Sequence, residues 1–448
     1  MLDIAVVGSG MSGSAVAAEL ERAGRDYVML EAGVDRGRAH TAADPRSADL
    51  VDPARDPSFI PFLTRPGTVY GPLSGYRERL GGRSLYWRGI CIRVEDQALA
   101  DWPAEVRHAL LGAAGTPGLY DEIEALLREW SDGAPLTRAR TATEKEMTGE
   151  LGRLGYPAVP TPRAVRDLGE GRWDAYSPIA ALPASRFLTG HRVSAVRELP
   201  GGGFSLALQG GERPALVARR VVLCAGTLGN IALVDGLLHG TANGLAPRRY
   251  SIVDHTACGL LAVDPHGTHE AMDSSVHAGF HPSARSNLIV ERRREGAGVL
   301  LDAWAMGEQP PEAASTVLAG DDMEITLEPA AEAVLSDVRE QQRCLMGGLA
   351  AGLGLPVWRE ERYVSYEEAA ARAADRPGTA VFYDAAIGEL DHECTGLELG
   401  GEHVDTRGLL RSSPGVLLAG PCLFPRAGAA NPSLTTLALA RYVVQRMD

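Results

Sequence analysis

Residues 4–13 read IAVVGSGMSG, and this stretch decides how the start of the chain folds. Four apolar residues in a row predict a short buried strand, and the three glycines that follow at G-x-G-x-x-G spacing predict a tight turn. Residues 14–23 are rich in alanine and predict a helix directly after that turn. The order strand, glycine turn, helix is typical of a site that binds the phosphates of a dinucleotide.

Each glycine of the turn has its own expected role. Gly8 permits the tight turn, Gly10 lets backbone N–H groups approach a pyrophosphate, and Gly13 lets the helix lie close to the strand. A second apolar strand, residues 27–30, ends at Glu31, about 20 residues beyond the motif, where a carboxylate accepts hydrogen bonds from a ribose. The spacing therefore predicts a complete dinucleotide site.

Size and charge narrow the remaining possibilities. The chain has 448 residues, which is more than one hydrophobic core usually organises, so two domains are expected. A formal net charge of -14 repels phosphate backbones and anionic lipids, and we expect no binding to nucleic acid or membranes. The six cysteines are far apart and lack ligand spacing, so no metal site is predicted. With no long apolar run and no leader-like start, a cytoplasmic location is expected.

Two later stretches resemble the glucose-methanol-choline (GMC) oxidoreductase family, whose members bind FAD near the N-terminus and complete the active site near the C-terminus. Residues 81–89 read GGRSLYWRG and are similar to the family segment that lies along the flavin. Residues 415–439 read GVLLAGPCLFPRAGAANPSLTTLAL and resemble its closing strand, substrate-side loop and final helix. Within this stretch, residues 416–419 predict a strand, and Asn431-Pro432 predicts a helix start with Asn431 as N-cap.

The resemblance implies a catalytic pair, His392 and Asn431. Alcohol oxidation needs a base for the hydroxyl proton, and histidine suits that task at neutral pH. His392 would be the base and Asn431 the partner that holds the substrate oxygen, which resembles the His/Asn version in the pyranose-oxidase-like branch. His403 is the competing base, and a purely structural His392 and a purely capping Asn431 are the alternative interpretations. The pair Asp254-His255 resembles a family Asp-His and is expected to be structural.

The resemblance also implies how FAD is held. The pyranose-oxidase-like branch can attach the flavin through a His that precedes the Trp, but this chain has Tyr86 there, so non-covalent FAD is expected. Residues 217–230 resemble the strand and turn that return the chain to the dinucleotide domain. The expected FAD contacts are Gly8, Gly10, Met11, Ser12, Gly13, Glu31, Ala32, Gly81, Gly82, Ser84, Trp87, Val193, Ala225, Gly226, Gly420, Asn431, Pro432 and Ser433.

The expected fold class is α/β, with an FAD-binding Rossmann-like domain and a smaller α+β substrate-binding domain built on an antiparallel sheet. The first domain is expected to combine residues 1–100, 181–265 and 385–448, and the second residues 101–180 and 266–384. In the second, periodicity predicts helices and strands. They are helices 120–130, 144–154 and 331–353, and strands 286–292, 299–306 and 322–327.

The expected function is FAD-dependent oxidation of a CH-OH group of a small molecule, a sugar, an aminosugar or a secondary-metabolite alcohol, in a biosynthetic role. The hydride would pass to flavin N5 while His392 takes the proton, and dioxygen or another acceptor would reoxidise the cofactor. The alternatives are a lyase or isomerase with a non-redox flavin, and a flavin-binding protein without turnover. The oligomeric state stays open, and Trp304, Trp358 and Phe382 are core candidates that could instead line the pocket.

Overall fold

In the computed structural model, helices pack around three main β-sheets. The described residues are 1–43, 55–71, 74–113, 115–169, 172–209, 214–240, 248–267, 273–295, 298–320, 325–358 and 364–447. The helices are α1 Met11–Arg22, α2 Asp96–Leu99, α3 Ala104–Leu111, α4 Leu119–Trp130, α5 Ala142–Arg153, α6 Gly226–His239, α7 Ser336–Gly352, α8 Tyr366–Asp375 and α9 Ser433–Val444. The strands are β1 Leu2–Val7, β2 Tyr27–Glu31, β3 Phe59–Pro61, β4 Gly75–Arg77, β5 Gly112–Ala113, β6 Thr116–Pro117, β7 Val159–Pro160, β8 Val165–Gly169, β9 Arg172–Ala175, β10 Phe187–Thr189, β11 Val193–Glu198, β12 Phe204–Leu208, β13 Leu216–Leu223, β14 Arg248–Ile252, β15 His255–Asp264, β16 Ser274–His281, β17 Ser286–Glu295, β18 Gly298–Glu308, β19 Ser315–Ala319, β20 Ile325–Glu328, β21 Val381–Asp384 and β22 Val416–Leu418.

The first sheet carries the glycine turn at its centre. Its strand order is β10-β2-β1-β13-β12-β11, and β22 also pairs with β13. Strands β10, β2, β1, β13 and β22 run parallel, whereas β11 and β12 form an antiparallel extension. Ile4, Val6 and Val222 are fully buried, as expected for the centre of a parallel sheet. The carboxyl ends of β1 and β2 therefore bring the glycine turn and Glu31 to one edge of the sheet.

The second sheet is antiparallel, with the strand order β21-β15-β18-β17-β16-β7. Alternate residues of β18 point to opposite faces, as the pleat requires. Ala303 and Ala305 are buried in an apolar cluster with residues of α5 and α7. Trp304 and Met306 lie on the other face and line a large cavity. One face of β18 thus packs in the apolar core, and the other face forms part of the cavity wall.

A smaller antiparallel sheet, β14-β19-β20, lies beside the other two. The long excursion between β2 and the segment at Gly81, residues 34–80, contains the short pair β3-β4 among its described residues. The excursion is joined to the small sheet because the N–H of Arg65 donates to the carbonyl of Leu327 over 2.9 Å. This anchor carries Phe62 and Leu63 toward the cavity.

The predicted elements of the second domain are present with shifted ends or partners. The strands predicted at 286–292 and 299–306 extend into the longer pair β17 and β18. The strand predicted at 322–327 is described from Ile325 as β20, which pairs with β19 in the small sheet. Residues 322–324 lie outside the described residues. The helix predicted at 331–353 is α7, which begins only at Ser336 after a 3₁₀ turn. Strands β15, β16 and β21 and helix α8 were not predicted.

The division into two domains stays a prediction, but β15 pairs with strands outside the domain to which it was assigned. Residues 255–264 were assigned to the FAD-binding domain, yet β15 pairs with β18 and β21 inside the second sheet. Helix α4, assigned to the substrate domain, packs against α9 of the first, with the hydroxyls of Tyr120 and Thr435 2.8 Å apart. Among the described residues, no helix has the length and apolarity needed to cross a membrane.

Candidate functional site

One continuous cavity joins the glycine turn to the antiparallel layers. Its volume is about 1470 Å³, and its walls include the turn after β1, the start of α9, and residues of β18 and β20. Ordinary small-molecule pockets hold roughly 300–1,000 Å³. The cavity therefore has room for a dinucleotide together with a second small molecule.

The glycine turn has the close packing that the sequence predicts. Gly8 has a positive φ of 97°, and a Cβ there would lie 2.4 Å from the carbonyl oxygen of Cys224. A Cβ on Gly13 would lie 1.9 Å from the carbonyl oxygen of Gly8, so only glycine lets α1 approach the turn. A Cβ on Gly10 would meet nothing within 4 Å, because Gly10 borders the cavity. Met11 and Ser12 border it as well, at the positive end of α1.

Glu31 lies at the end of β2 and lines the same cavity beside Ala32. Its Oε2 accepts hydrogen bonds from the N–H of Ser9 at 3.1 Å and the hydroxyl of Ser9 at 2.6 Å. Its Oε1 accepts from the N–H of Gly33 at 2.8 Å. Burial raises the pKa of Glu31, while these donors act to lower it. The carboxylate is thus fixed in place, with oxygen lone pairs still available to a ribose.

The segment that resembles the flavin-lining stretch also reaches the cavity. Gly82, Ser84 and Trp87 line it, and Gly82 has a positive φ of 48° that suits glycine. The hydroxyl of Ser84 donates to the carbonyl of Gly81 at 2.7 Å. The hydroxyl of Tyr86 donates to Asp56 at 2.8 Å, so this side chain is engaged within the protein.

The antiparallel extension of the first sheet and the start of α6 also contribute to the cavity wall. Val193, Ala225 and Gly226 line it, at the positions that the resemblance implied. Gly226 begins α6 with a positive φ of 77° and has free space on its Cβ side. Three polar residues of this wall were not predicted, because no motif marks them. They lie beside β10, β11 and β12 and are His191, Arg192 and Gln209.

Three expected FAD contacts do not line the cavity. Gly13 packs against the backbone of the turn and so lets α1 lie close to it. Gly81 lies behind the cavity wall, where its N–H donates to the hydroxyl of Ser9 at 2.9 Å. Gly420 has a φ of 124°, and a Cβ there would lie 2.8 Å from the hydroxyl oxygen of Ser12. These glycines support the cavity wall from behind.

Asn431 lines the cavity but does not cap α9. The helix begins at Ser433, its N-cap residue is Pro432, and no side chain caps it. The Oδ1 atom of Asn431 is buried and has no hydrogen-bond partner among the described residues. Such an atom costs free energy unless a ligand satisfies it. The predicted capping role is therefore wrong, and the unpaired amide oxygen indicates a ligand at this point.

The loop before Asn431 is held by acidic side chains that sequence analysis missed. The carboxylate of Glu308 accepts from the guanidinium of Arg426 and from the N–H of Gly428, the latter at 3.0 Å. The carboxylate of Glu95 accepts from the N–H of Ala429 at 3.0 Å. These contacts join α2 and β18 to the loop, so both layers of the molecule fix the position of Asn431.

His392 lines the cavity together with Asn431, Pro432 and Ser433. Burial, then the neighbouring His255 and Arg83, lowers the pKa of His392 well below its ordinary value. The imidazole is therefore neutral near pH 7 and has one nitrogen lone pair to accept a proton. The competing His403 does not line the cavity, and its ring lies 6.0 Å from that of Tyr250.

Asp254 and His255, expected to be structural, contact His392 directly. The Nδ1 atoms of His255 and His392 are 3.2 Å apart, and Oδ1 of Asp254 accepts from the N–H of His392 at 3.3 Å. The potential ligand atoms of these three residues lie within 4.8 Å of one another, a cluster that the sequence analysis did not expect. The pair therefore contacts the candidate base, in addition to the structural role expected from the sequence.

Arg83 links the two segments that meet at the cavity. Its guanidinium donates to the carbonyl of Asp391 at 2.9 Å and to the carboxylate of Glu393 at 2.8 Å. The two partners flank His392 in the sequence, so Arg83 holds the backbone on both sides of the imidazole. No motif pointed to this role, because Arg83 and Glu393 are 310 residues apart.

Part of the remaining wall is apolar, although Arg77, Arg88 and Asp391 also line the cavity. Phe62 and Leu63 come from the excursion, and Trp304, Met306 and Ile325 come from the antiparallel layers. Of the three aromatic candidates, only Trp304 is among the described residues of the wall. Trp358 and Phe382 pack against the apolar clusters of the second sheet instead.

Comparisons with known proteins agree with this architecture. A family model described as an NAD(P)-binding Rossmann-like domain matches residues 6–53. A search of curated protein sequences finds no match. Among solved structures, the fold is similar to the crystal structure of pyridoxine 4-oxidase from Mesorbium loti, with a TM-score of 0.66 and 19% identity over 100% of this chain and 99% of that one. The predicted fold class is confirmed: the chain begins with a Rossmann-like dinucleotide-binding domain and shares its whole fold with that oxidase.

Proposed function

We propose that the chain is an FAD-dependent oxidoreductase that oxidises a CH-OH group of a small molecule. The observation that carries this proposal is one cavity in which the dinucleotide turn meets His392 and the unpaired amide oxygen of Asn431. A binding site for a nucleotide alone would need neither group. The similarity in fold to an oxidase of pyridoxine supports the same class of reaction.

The residues present fit FAD. Gly10 and Gly226 leave free space where a nucleotide would approach the backbone, and Glu31 is placed for a ribose. The positive end of α9 borders the cavity, where it would favour negative charge on a flavin ring. FAD is held without a covalent bond, since Tyr86 replaces the attaching His and its hydroxyl is bound to Asp56. When bound, FAD supplies the hydride acceptor for the oxidation.

His392 and Asn431 divide the work on the substrate. The neutral imidazole of His392 accepts the hydroxyl proton as the carbon loses its hydride. The amide N–H of Asn431 donates to the substrate oxygen and so holds the CH-OH group in place. Arg83 keeps the backbone around His392 fixed during this exchange. The His/Asn pair is that of the pyranose-oxidase-like branch, to which we assign the chain.

The apolar part of the cavity wall favours one kind of substrate. Phe62, Trp304, Met306 and Ile325 would stack on or pack against an aromatic or aliphatic body, whereas a sugar would leave its hydroxyls without partners there. We therefore rank alcohols with an aromatic or other apolar body above sugars and aminosugars.

Anaerobic mixing with alcohols tests the proposal. Purified protein should be yellow. A substrate alcohol should bleach the absorbance of oxidised flavin at about 450 nm in a single turnover. The alcohol panel should include pyridoxine, benzyl alcohol, an aliphatic secondary alcohol, glucose and glucosamine. A lyase or isomerase would convert substrate without bleaching, and a non-catalytic flavin protein would do neither. Either outcome, or a colourless protein that binds a nicotinamide nucleotide, would refute the proposal.

A further inference from the structure

His255 lies directly behind His392 and is closed off from solvent. Its side chain is 0% exposed, as is that of Asp254. The two imidazole rings stand almost perpendicular, at 86°, with centroids 5.0 Å apart and Nδ1 atoms 3.2 Å apart. The separation of the Nδ1 atoms is a hydrogen-bond distance, so one of the two nitrogens donates to the other.

Both imidazoles are neutral, so this bond contains a single hydrogen. Burial lowers the pKa of His255 to about 4, and burial also lowers the pKa of His392 well below its ordinary value. A neutral imidazole carries its hydrogen on one nitrogen only. If His255 donates, His392 keeps its hydrogen on Nε2 and has no lone pair there. If His392 donates, its Nε2 is a free proton acceptor.

The proposed function requires one of these two arrangements. A base at Nε2 of His392 needs a lone pair there, so Nδ1 of His392 carries the hydrogen and donates it to Nδ1 of His255, 3.2 Å away. Nε2 of His255 is buried and has no hydrogen-bond partner among the described residues, so the contact with His392 is the hydrogen bond that orients the ring. The Nδ1 of His255 is then the acceptor.

We propose that His255 is a positioning residue that keeps His392 in the tautomer with a hydrogen on Nδ1 and a lone pair on Nε2. The inference rests on the proposed function, in which Nε2 of His392 takes the proton of the substrate O–H while the hydride of the C–H bond goes to bound FAD. The resulting imidazolium keeps its Nδ1–H bonded to His255. Asp254 sets the spacing, since its Oδ1 accepts the N–H groups of His255 at 2.6 Å and His392 at 3.3 Å.

A metal ion is the rival explanation for this cluster. Nδ1 of each imidazole and one carboxylate oxygen could be its ligands. However, Oδ1 of Asp254 already accepts two backbone N–H groups. A proton bridge between two neutral imidazoles satisfies the same atoms without an ion.

Nitrogen NMR of the FAD-loaded enzyme labelled with ¹⁵N-histidine reads the tautomer directly. The His392 signals are assigned by their loss in His392→Asn. In the wild type we expect hydrogen on Nδ1 and none on Nε2 of His392. His255→Leu should release this preference and lower kcat at least about tenfold, since loss of the group that orients a catalytic imidazole costs up to about 10⁴. KM for the alcohol and FAD content should stay unchanged.

A conservative variant separates positioning from packing. In His255→Asn, the amide oxygen can take the place of Nδ1 as acceptor, so most of kcat should return. His281→Leu is the control, because His281 contacts only the carbonyl of Ala278 and the ring of Tyr156 among the described partners of its side chain. It should leave kcat and the His392 tautomer unchanged.

Three results would overturn the inference. They are hydrogen on Nε2 of His392 in the wild type, unchanged kcat and tautomer in His255→Leu, and one divalent metal per chain that His255→Leu removes. Failure of the proposed function looks different, because the tautomer is measured without substrate. The predicted tautomer in a yellow wild type that no alcohol bleaches would refute the oxidation and leave the arrangement of the histidine pair supported.

Discussion

His392 is the residue on which the proposed chemistry depends most, because the other described histidine of the cavity wall, His191, lies next to Glu31 at the nucleotide end. We expect His392→Ala to lower kcat by about 10²- to 10⁴-fold, the usual contribution of a general base. FAD content should not change. His403→Ala is the matched control, since its ring packs near Tyr250 and away from the cavity. Stopped-flow bleaching of FAD measures both, and equal rates in the two variants would contradict the assignment.

Asn431 should affect both binding and rate. Asn431→Ala removes the amide N–H that holds the substrate oxygen, and it breaks no protein hydrogen bond of the amide oxygen and removes no cap. We expect kcat/KM to fall by about 10²- to 10³-fold, the value of one well-placed hydrogen-bond donor to a reacting group. The melting temperature should stay near that of the wild type. A large loss of stability with normal kcat/KM would restore the purely structural interpretation.

The pH dependence follows from the direction of the His392 pKa. Burial, His255 and Arg83 hold this pKa well below the ordinary 6.5, so the base stays unprotonated as the pH falls through 6.5. The carboxylates of Asp254 and Glu393 also lie nearby, but Glu393 is paired with Arg83. We expect kcat/KM to stay level through pH 6.5 and to fall only in more acidic buffer. A midpoint at the ordinary value would contradict the buried, neutral imidazole.

At the scale of elements, the β1–α1 turn contains two glycines with different roles. Gly10 borders the cavity, whereas Gly13 packs against the backbone. Gly10→Val places a side chain where no protein atom lies within 4 Å, so the protein should fold but purify largely without FAD. Gly13→Val places atoms 1.9 Å from a backbone oxygen and should fold poorly. Gly149→Val, with free space in α5 outside the cavity wall, is the control for a valine substitution. Absorbance and thermal melting distinguish the three, and a yellow Gly10→Val protein would contradict the position of the cofactor.

The loop before α9 should transmit changes in β18 to Asn431. Glu308→Gln weakens the ion pair with Arg426 and the bond from Gly428, so Asn431 is less firmly placed. Misplacement of a catalytic group by about 1 Å can cost up to about 10²-fold in rate, and we expect a loss of kcat of roughly tenfold with FAD retained. Asp405→Ala, which removes a carboxylate from a turn away from the cavity, is the control. Equal kcat in wild type and Glu308→Gln would contradict the coupling.

Local patterns account for the elements that could be predicted from sequence. The turn at Gly8 and the helix after Pro432 follow from glycine spacing and proline placement over a few residues. Strand β15 was not predicted because it pairs with β18, which lies beyond β16 and β17 in the chain. The contact between His255 and His392 could not be predicted for the same reason, since the two residues lie 137 positions apart.

For the whole molecule, the site exists because the parallel and antiparallel sheets enclose one cavity. The nucleotide half follows from motifs in one continuous stretch and could be predicted. The substrate half could not, because Phe62, Trp304 and Ile325 come from three separate parts of the chain and share no motif. Only the assembled fold brings them to one wall, and with it the preference for an alcohol with an apolar body.

A crystal structure of the yellow protein measures the central geometry directly. We predict the isoalloxazine ring between the segment at Gly82 and the start of α9. Nε2 of His392 and flavin N5 should share a point within about 3 to 3.5 Å of each, where the CH-OH group would lie. A His392 side chain turned away from the ring would contradict the mechanism, and a nicotinamide dinucleotide at the glycine turn would contradict the proposed class of enzyme.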